Sequence, residues 1–134
     1  MKIRLDPLDI LFSEFVRKRA ISRVEGCEYC GRKFYDKPKN DGTMFPAWKQ
    51  LQCSHFVGRR SRATRYDPEN AVGACFSCHI HMTENPYEHT SWFEKHLGSE
   101  AFDKLIIRSN IPTKPDKEAI KLYLQEKIKN LEEL

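Results

Sequence analysis

The sequence predicts an α+β chain: a small core built on a β-hairpin, flanked by helices at both termini. Three observations predict it. Two short apolar runs of strand length, Leu51 to Val57 and Ala71 to Ala74, are joined by a polar, arginine-rich loop. Two Cys-x-x-Cys pairs, Cys27 with Cys30 and Cys75 with Cys78, bracket those runs. The segments on either side carry helix-start residues and apolar residues at helical spacing. With 134 residues, the chain suits one domain, residues 1–134. It divides into an N-terminal helix (1–24), a core (25–84) and C-terminal helices (85–134).

The elements follow in order. Asp6 is placed to cap the first helix, Pro7 fits its first position, and Asp9 favours the positive end of its dipole. Leu8, Leu11, Phe12, Phe15 and Val16 form its apolar side, and Arg17, Lys18 and Arg19 are expected on the polar side. Residues 32–50 form a polar insert with an Asp41-Gly42 turn, expected as a hairpin or ordered loop. The two core strands follow, and a helix comes after Cys75. Asn85, with Glu88 at the capping-box position, is expected to start the next helix, which Gly98 ends. Ser99 is expected to cap another helix, holding Phe102, Leu105 and Ile106. The last helix starts near Asp116 and aligns Ile120, Leu124, Ile128, Leu131 and Leu134. That stripe serves either as core or as the face of a homodimer.

Composition bounds the function. A net charge of +4 favours an acidic partner without compelling one. No apolar run approaches the roughly 20 residues of a membrane span. Met1 to Pro7 shows no signal-peptide pattern, so a cytoplasmic protein is expected. In that compartment five cysteines argue for metal rather than disulfides. The two pairs are separated by 44 residues (31–74) and together supply the four thiolates of a structural zinc, which leaves no open coordination position. Free thiols or a redox pair are the weaker reading. Cys53 is expected to be a small buried side chain, not a ligand.

Between the pairs lie His55, Asn70 and His79, the last directly after Cys78. A neutral histidine at a strand end can take a proton from water, which suits His55 to the role of general base in phosphodiester hydrolysis. His79 is placed to hold a divalent cation, and Asn70 to bond across the loop. Arg59, Arg60, Arg62 and Arg65 put four guanidiniums within seven residues beside these groups, a pattern suited to DNA phosphates. His89 and His96 are expected to be surface residues.

This stretch resembles the HNH, or ββα-metal, endonuclease superfamily. More closely, the chain resembles the phage recombination endonuclease family of lambda NinG, also called Rap. The matching features are Leu11-Phe12-Ser13 with Val16-Arg17, then Cys27-x-x-Cys30 and His55-Phe56. Arg65-Tyr66-Asp67-x-x-Asn70, Cys75-x-x-Cys78-His79, Asn85 and Gly98 complete the set. The resemblance implies a zinc-stabilised ββα-metal core and a DNA endonuclease acting on branched recombination intermediates. It implies His55 as base and a catalytic Mg2+ or Mn2+ at His79. It also implies the host cytoplasm, if the chain is phage-encoded. One feature departs from the superfamily. Many relatives carry an acidic metal ligand just before the base, where this chain has Ser54. Fewer protein ligands are therefore expected, with waters and substrate filling the shell. His81 is either a second ligand or a packing residue. Two other functions compete: a non-catalytic zinc module that binds nucleic acid, which would need neither His55 nor His79, and a general or restriction-type HNH nuclease. The short chain, with no separate recognition domain, argues against a restriction or homing type.

Overall fold

A computed structural model describes residues 4–133 and shows the α+β architecture. The chain runs through α1 (Pro7–Val24), β1 (Lys37–Pro38), β2 (Met44–Phe45), a 3-10 turn (Ala47–Gln50), β3 (Gln52–His55) and a second 3-10 turn (Pro68–Asn70). It continues through β4 (Ala71–Ala74), α2 (Phe76–Glu84), α3 (Pro86–Leu97), α4 (Ser99–Ser109) and α5 (Lys117–Glu132). Met1 to Ile3 and Leu134 lie outside the described residues.

The central element is the antiparallel pair β3–β4, in the register Gln52–Ala74, Cys53–Gly73, Ser54–Val72 and His55–Ala71. Successive side chains of a strand point to opposite faces, and each face meets its own core. Ala71 packs with Leu8, Phe12, Phe15 and Val16 of α1, with Tyr66, and with Leu124 and Ile128 of α5. Val72 and Ala74 pack with Met82 of α2, Phe93 of α3 and Phe102 of α4. The hairpin is thus sandwiched. Ile120 and Leu131, partly buried, join the first core from α5 beside buried Leu124 and Ile128, so the described part of its apolar stripe packs toward α1.

Asp6 caps α1 as expected, and Asp9 completes a capping box with it, each side chain accepting the other's amide at 2.8 Å. Arg19 corrects the expected polar side of α1. It is buried because its guanidinium donates to the carbonyls of Pro68 (2.9 Å) and Ala71 (2.8 Å). Arg17 and Lys18 flank the Trp48 ring, and Lys18 pairs with Glu14 and Glu132. The 32–50 insert is a β1–β2 hairpin turning at Gly42, with the 3-10 turn behind it.

Two caps differ from expectation. Only Asn85 separates α2 from α3, and its side-chain amide donates back to the His81 carbonyl (2.8 Å) instead of capping α3. Glu88 accepts from Tyr29 Oη (2.9 Å) instead of closing a capping box. Ser99 is the first residue of α4, and Gly98, at φ 88°, takes the cap position. Asp116 caps α5 as expected, accepting from the Ala119 amide at 3.1 Å. No helix among the described residues is long and apolar enough to cross a membrane.

Gly73 lets α1 close onto β4, because a Cβ there would stand 2.6 Å from the Ala20 Cβ. Gly73→Ala is expected to cost about 1–3 kcal/mol of stability through overpacking. The cost should shrink in an Ala20→Gly background. Denaturant unfolding of the four members of this double-mutant cycle checks both expectations.

Candidate metal centre and active site

The four paired cysteines converge. Glu25, in the left-handed conformation at φ 59°, ends α1 and turns the chain into the first knuckle. There the Cys27 amide donates to the Arg32 carbonyl and the Gly31 amide to the Cys27 carbonyl, both at 2.9 Å. Cys75 sits at the N-terminus of α2, and Cys78 lies in its first turn. All four sulfurs lie within 4.8 Å of one another, with Cys30 and Cys75 4.0 Å apart. A tetrahedral zinc with bonds of about 2.3 Å places its sulfurs roughly 3.8 Å apart, so the cluster fits such an ion. Among the described residues it is the one group of three or more His, Cys, Asp or Glu side chains that close together. Cys53 lies apart from it, packed against the first core, and burial pushes its thiol up to about 12.

Glu28, inside the first knuckle, docks the cluster on the hairpin. Its amide donates to the Gly73 carbonyl (2.9 Å), and its carboxylate accepts from the Gly73 amide (2.8 Å). The sequence had offered no sign of this contact.

His55 ends β3 with its Nε2 3.0 Å from the Arg65 carbonyl. A carbonyl only accepts, so Nε2 carries the proton and Nδ1 keeps the lone pair. Burial, aided by the charge of Arg59 and opposed by the Arg65 carbonyl and Asp9, pushes its pKa down to about 4. The imidazole is therefore neutral at physiological pH. Asn70, fully buried, spans the loop: Oδ1 accepts from the Val57 amide (2.7 Å), and Nδ2 donates to the carbonyls of Val57 (2.8 Å) and Thr64 (2.9 Å).

His79 comes from α2, and its Nδ1 lies 2.5 Å from the hydroxyl of Ser54, which is buried. When Nδ1 donates to that hydroxyl, Nε2 is the nitrogen left to bind a cation. Burial, and then the charge of Arg59, lowers its pKa. Ser54 thus orients His79 from the position directly before His55.

Not every candidate joins the site. His81 lies two residues from His79, about 200° around the helix. It meets Glu88 at 3.0 Å and the Tyr29 ring at 6.1 Å, so it packs outward and stays clear of His79. Arg65 turns inward. Its guanidinium grips Asp9 at 2.9 and 2.5 Å and donates to the Arg4 carbonyl at 3.0 Å, so it is not left for phosphate. Arg59 stays near the histidines, with its Nε 3.9 Å from Asp9 and without a hydrogen-bond partner. Arg60 and Arg62 are exposed at the rim. His96 stacks on Trp92 at 4.7 Å. His89, expected at the surface, is half-buried between Phe56 and Phe93.

Comparison with protein families finds that residues 27–84 match the HNH endonuclease family model. Neither the curated proteins nor the solved structures gave a match.

Two outcomes are expected. Elemental analysis should find one zinc per chain, retained in Cys53→Ala and lost with a large fall in thermal stability in Cys75→Ser. Acid should unfold the protein partly through His55. Its folded pKa lies below the unfolded value of about 6.5. Its share of stability is therefore full above pH 6.5 and is lost as pH falls through about 4. Thermal midpoints measured against pH should fall less steeply in His55→Gln than in the wild type.

Proposed function

We propose that the protein is a metal-dependent DNA endonuclease of the HNH type that hydrolyses phosphodiester bonds and prefers branched recombination intermediates, such as Holliday junctions and D-loops. The observation that carries the nuclease reading is the fixed tautomer of His55. Its Nε2–H is committed to the Arg65 carbonyl, and burial keeps the ring neutral. An unprotonated Nδ1 is what a general base needs. The match of residues 27–84 to the HNH endonuclease family supports the same reading.

The residues divide the work. His55 Nδ1 takes a proton from the water that attacks phosphorus, so a P–O bond forms to that water as the bond to the 3′-oxygen breaks. Arg59, near both histidines and with an unpartnered Nε, neutralises charge on the phosphate. His79 Nε2, oriented through Ser54, would hold the divalent cation, Mg2+ or Mn2+. Bound there, that ion would supply Lewis-acid stabilisation of the phosphate and the leaving oxygen. Asn70 holds the loop that carries these groups. The four cysteines would hold a structural zinc.

The preference for branched DNA rests on the resemblance to the NinG family and on the kind of contact available. Exposed Arg60 and Arg62 suit backbone phosphates, which position DNA without reading its sequence. Discrimination then falls to DNA shape, and the unstacked strands of a branch reach the His55 hairpin at less bending cost than a continuous duplex. The host cytoplasm is the proposed location.

A nicking assay on matched linear, forked and four-way DNA tests this. Cleavage is expected near the branch point, leaving 5′-phosphate and 3′-hydroxyl ends. His55→Ala should abolish cleavage while leaving DNA binding. Arg62→Ala should weaken binding alike on all sequences and flatten its salt dependence by about one unit of slope for each phosphate no longer neutralised. Arg65→Ala should act chiefly on stability. Equal rates on linear and branched DNA would refute the branch preference. Undiminished cleavage by His55→Ala would refute the mechanism, and binding without any cleavage would leave a nucleic-acid-binding module.

A further inference from the structure

We propose that His89 completes the cation site begun by His79, and that this histidine pair takes a transition-metal ion such as Mn2+ or Co2+ in preference to Mg2+. The ion's catalytic role rests on the nuclease reading above; its binding does not.

The first observation is a buried nitrogen with nothing to do. His89 stands in the second turn of α3. Its ring packs edge-on against Phe56 (5.5 Å, 80°) and Phe93 (5.2 Å, 67°). Its Nε2 is cut off from solvent and has no hydrogen-bond partner. Burying such a nitrogen is costly unless something uses its lone pair. It is the one histidine nitrogen so left among the described residues. Packing alone does not require it, since a phenylalanine would fill an aromatic pocket without leaving a polar atom stranded.

The second observation is location. Phe56, which the ring covers, directly follows His55 in the chain. The single-residue link at Asn85 folds α3 back beside α2. His79 on α2 and His89 on α3 therefore come from neighbouring helices, near enough for their side chains to interact electrostatically.

The third observation is what else is missing. Ser54 stands where a carboxylate ligand would come from β3, and its hydroxyl is spent on His79 Nδ1. Apart from the four cysteines, no three His, Cys, Asp or Glu side chains cluster among the described residues. Two imidazoles are then the protein's whole share of such a shell, and water and phosphate oxygens complete it. Nearby Arg59 opposes a bare cation at this place, and a phosphate between the two would offset that repulsion. A nitrogen pair suits Mn2+, Co2+, Ni2+ or Zn2+, whereas Mg2+ demands oxygen.

The test is Co2+ titration of the zinc-loaded protein, read by visible absorbance, with the zinc content measured at the end. Wild type is expected to take up one Co2+ beside an intact zinc, with ligand-field bands but no sulfur charge-transfer band. His79→Ala and His89→Phe should each weaken that binding by about tenfold or more. His89→Phe keeps the aromatic packing, and His89→Gln serves as a second variant, with retained zinc as the check on folding. Wild-type affinity for Co2+ in either folded His89 variant would overturn the proposal. So would nicking that Mg2+ supports as well as Mn2+ and that His89→Phe leaves unchanged. Histidine-dependent Co2+ binding without any DNA cleavage would uphold the site and sink only the nuclease reading.

Discussion

A carboxylate taken out of water keeps its charge only if cations and hydrogen-bond donors surround it. Asp9 is such a carboxylate, 5% exposed in the first turn of α1. It accepts from the Asp6 amide, receives both arms of the Arg65 guanidinium and has Arg59 Nε 3.9 Å away. This one cluster anchors the arginine loop to the start of the first helix. It also fixes the backbone of residue 65, whose carbonyl receives His55 Nε2. The tautomer of the candidate base thus traces back to a buried ion pair on another element. Tyr66 reinforces the anchor by donating to Asp6 Oδ2 at 2.8 Å while its ring meets Phe12 at 6.4 Å.

The other end of the site is set by the cysteine cluster. The first knuckle docks on the open edge of β4, where Glu28 satisfies both backbone groups of Gly73. An unpaired strand edge otherwise presents bare amides and carbonyls. The second knuckle opens α2, and the His79 amide bonds the Cys75 carbonyl one turn later (2.9 Å). An ion shared by the two knuckles would therefore fix the direction of α2 relative to β4, and with it the place of His79. The distance of 44 residues between the knuckles follows from this arrangement. The chain builds the 32–50 insert and the whole hairpin before it returns to the same cluster.

The sequence made legible what depends on short spacing. The Asp6 cap, the turn at Gly42, the two strands and the paired knuckles are all written within a few residues of each other, and all are present. What escaped depends on distant partners. Arg65 looked like one more phosphate contact because Asp9 lies far away in the chain. Glu28 gave no sign because its partner is a backbone edge. Arg19 was legible in principle: it follows Phe15 and Val16 at helical spacing, on the buried face, but adjacent Arg17 and Lys18 made it look like part of a solvated run. His89 precedes Phe93 by one turn and carried a similar signal. Asn85 failed as a cap for a simple reason. A single residue between two helices cannot serve both ends, and its amide closes the one before it.

The disposition of cations bears on how DNA would be held. Several basic side chains are matched by carboxylates: Arg65 by Asp9, Arg108 by Asp67 and Glu69, Lys117 by Asp6. Arg60, Arg62 and Lys114 line an open groove of about 550 Å3, together with Asn110 and Thr113. One wall of that groove is the arginine loop itself, pinned to the end of α4 by the Ser61 hydroxyl donating to the Ser109 carbonyl at 3.0 Å. The same loop supplies the carbonyl that orients His55. A phosphate backbone seated in the groove would therefore bear on the segment that aligns the base, without any change in the hairpin. Grip and chemistry would then be coupled through one short stretch of loop, Ser61 to Arg65, and the buried Asn70 and Asp9 on either side keep that loop in one shape.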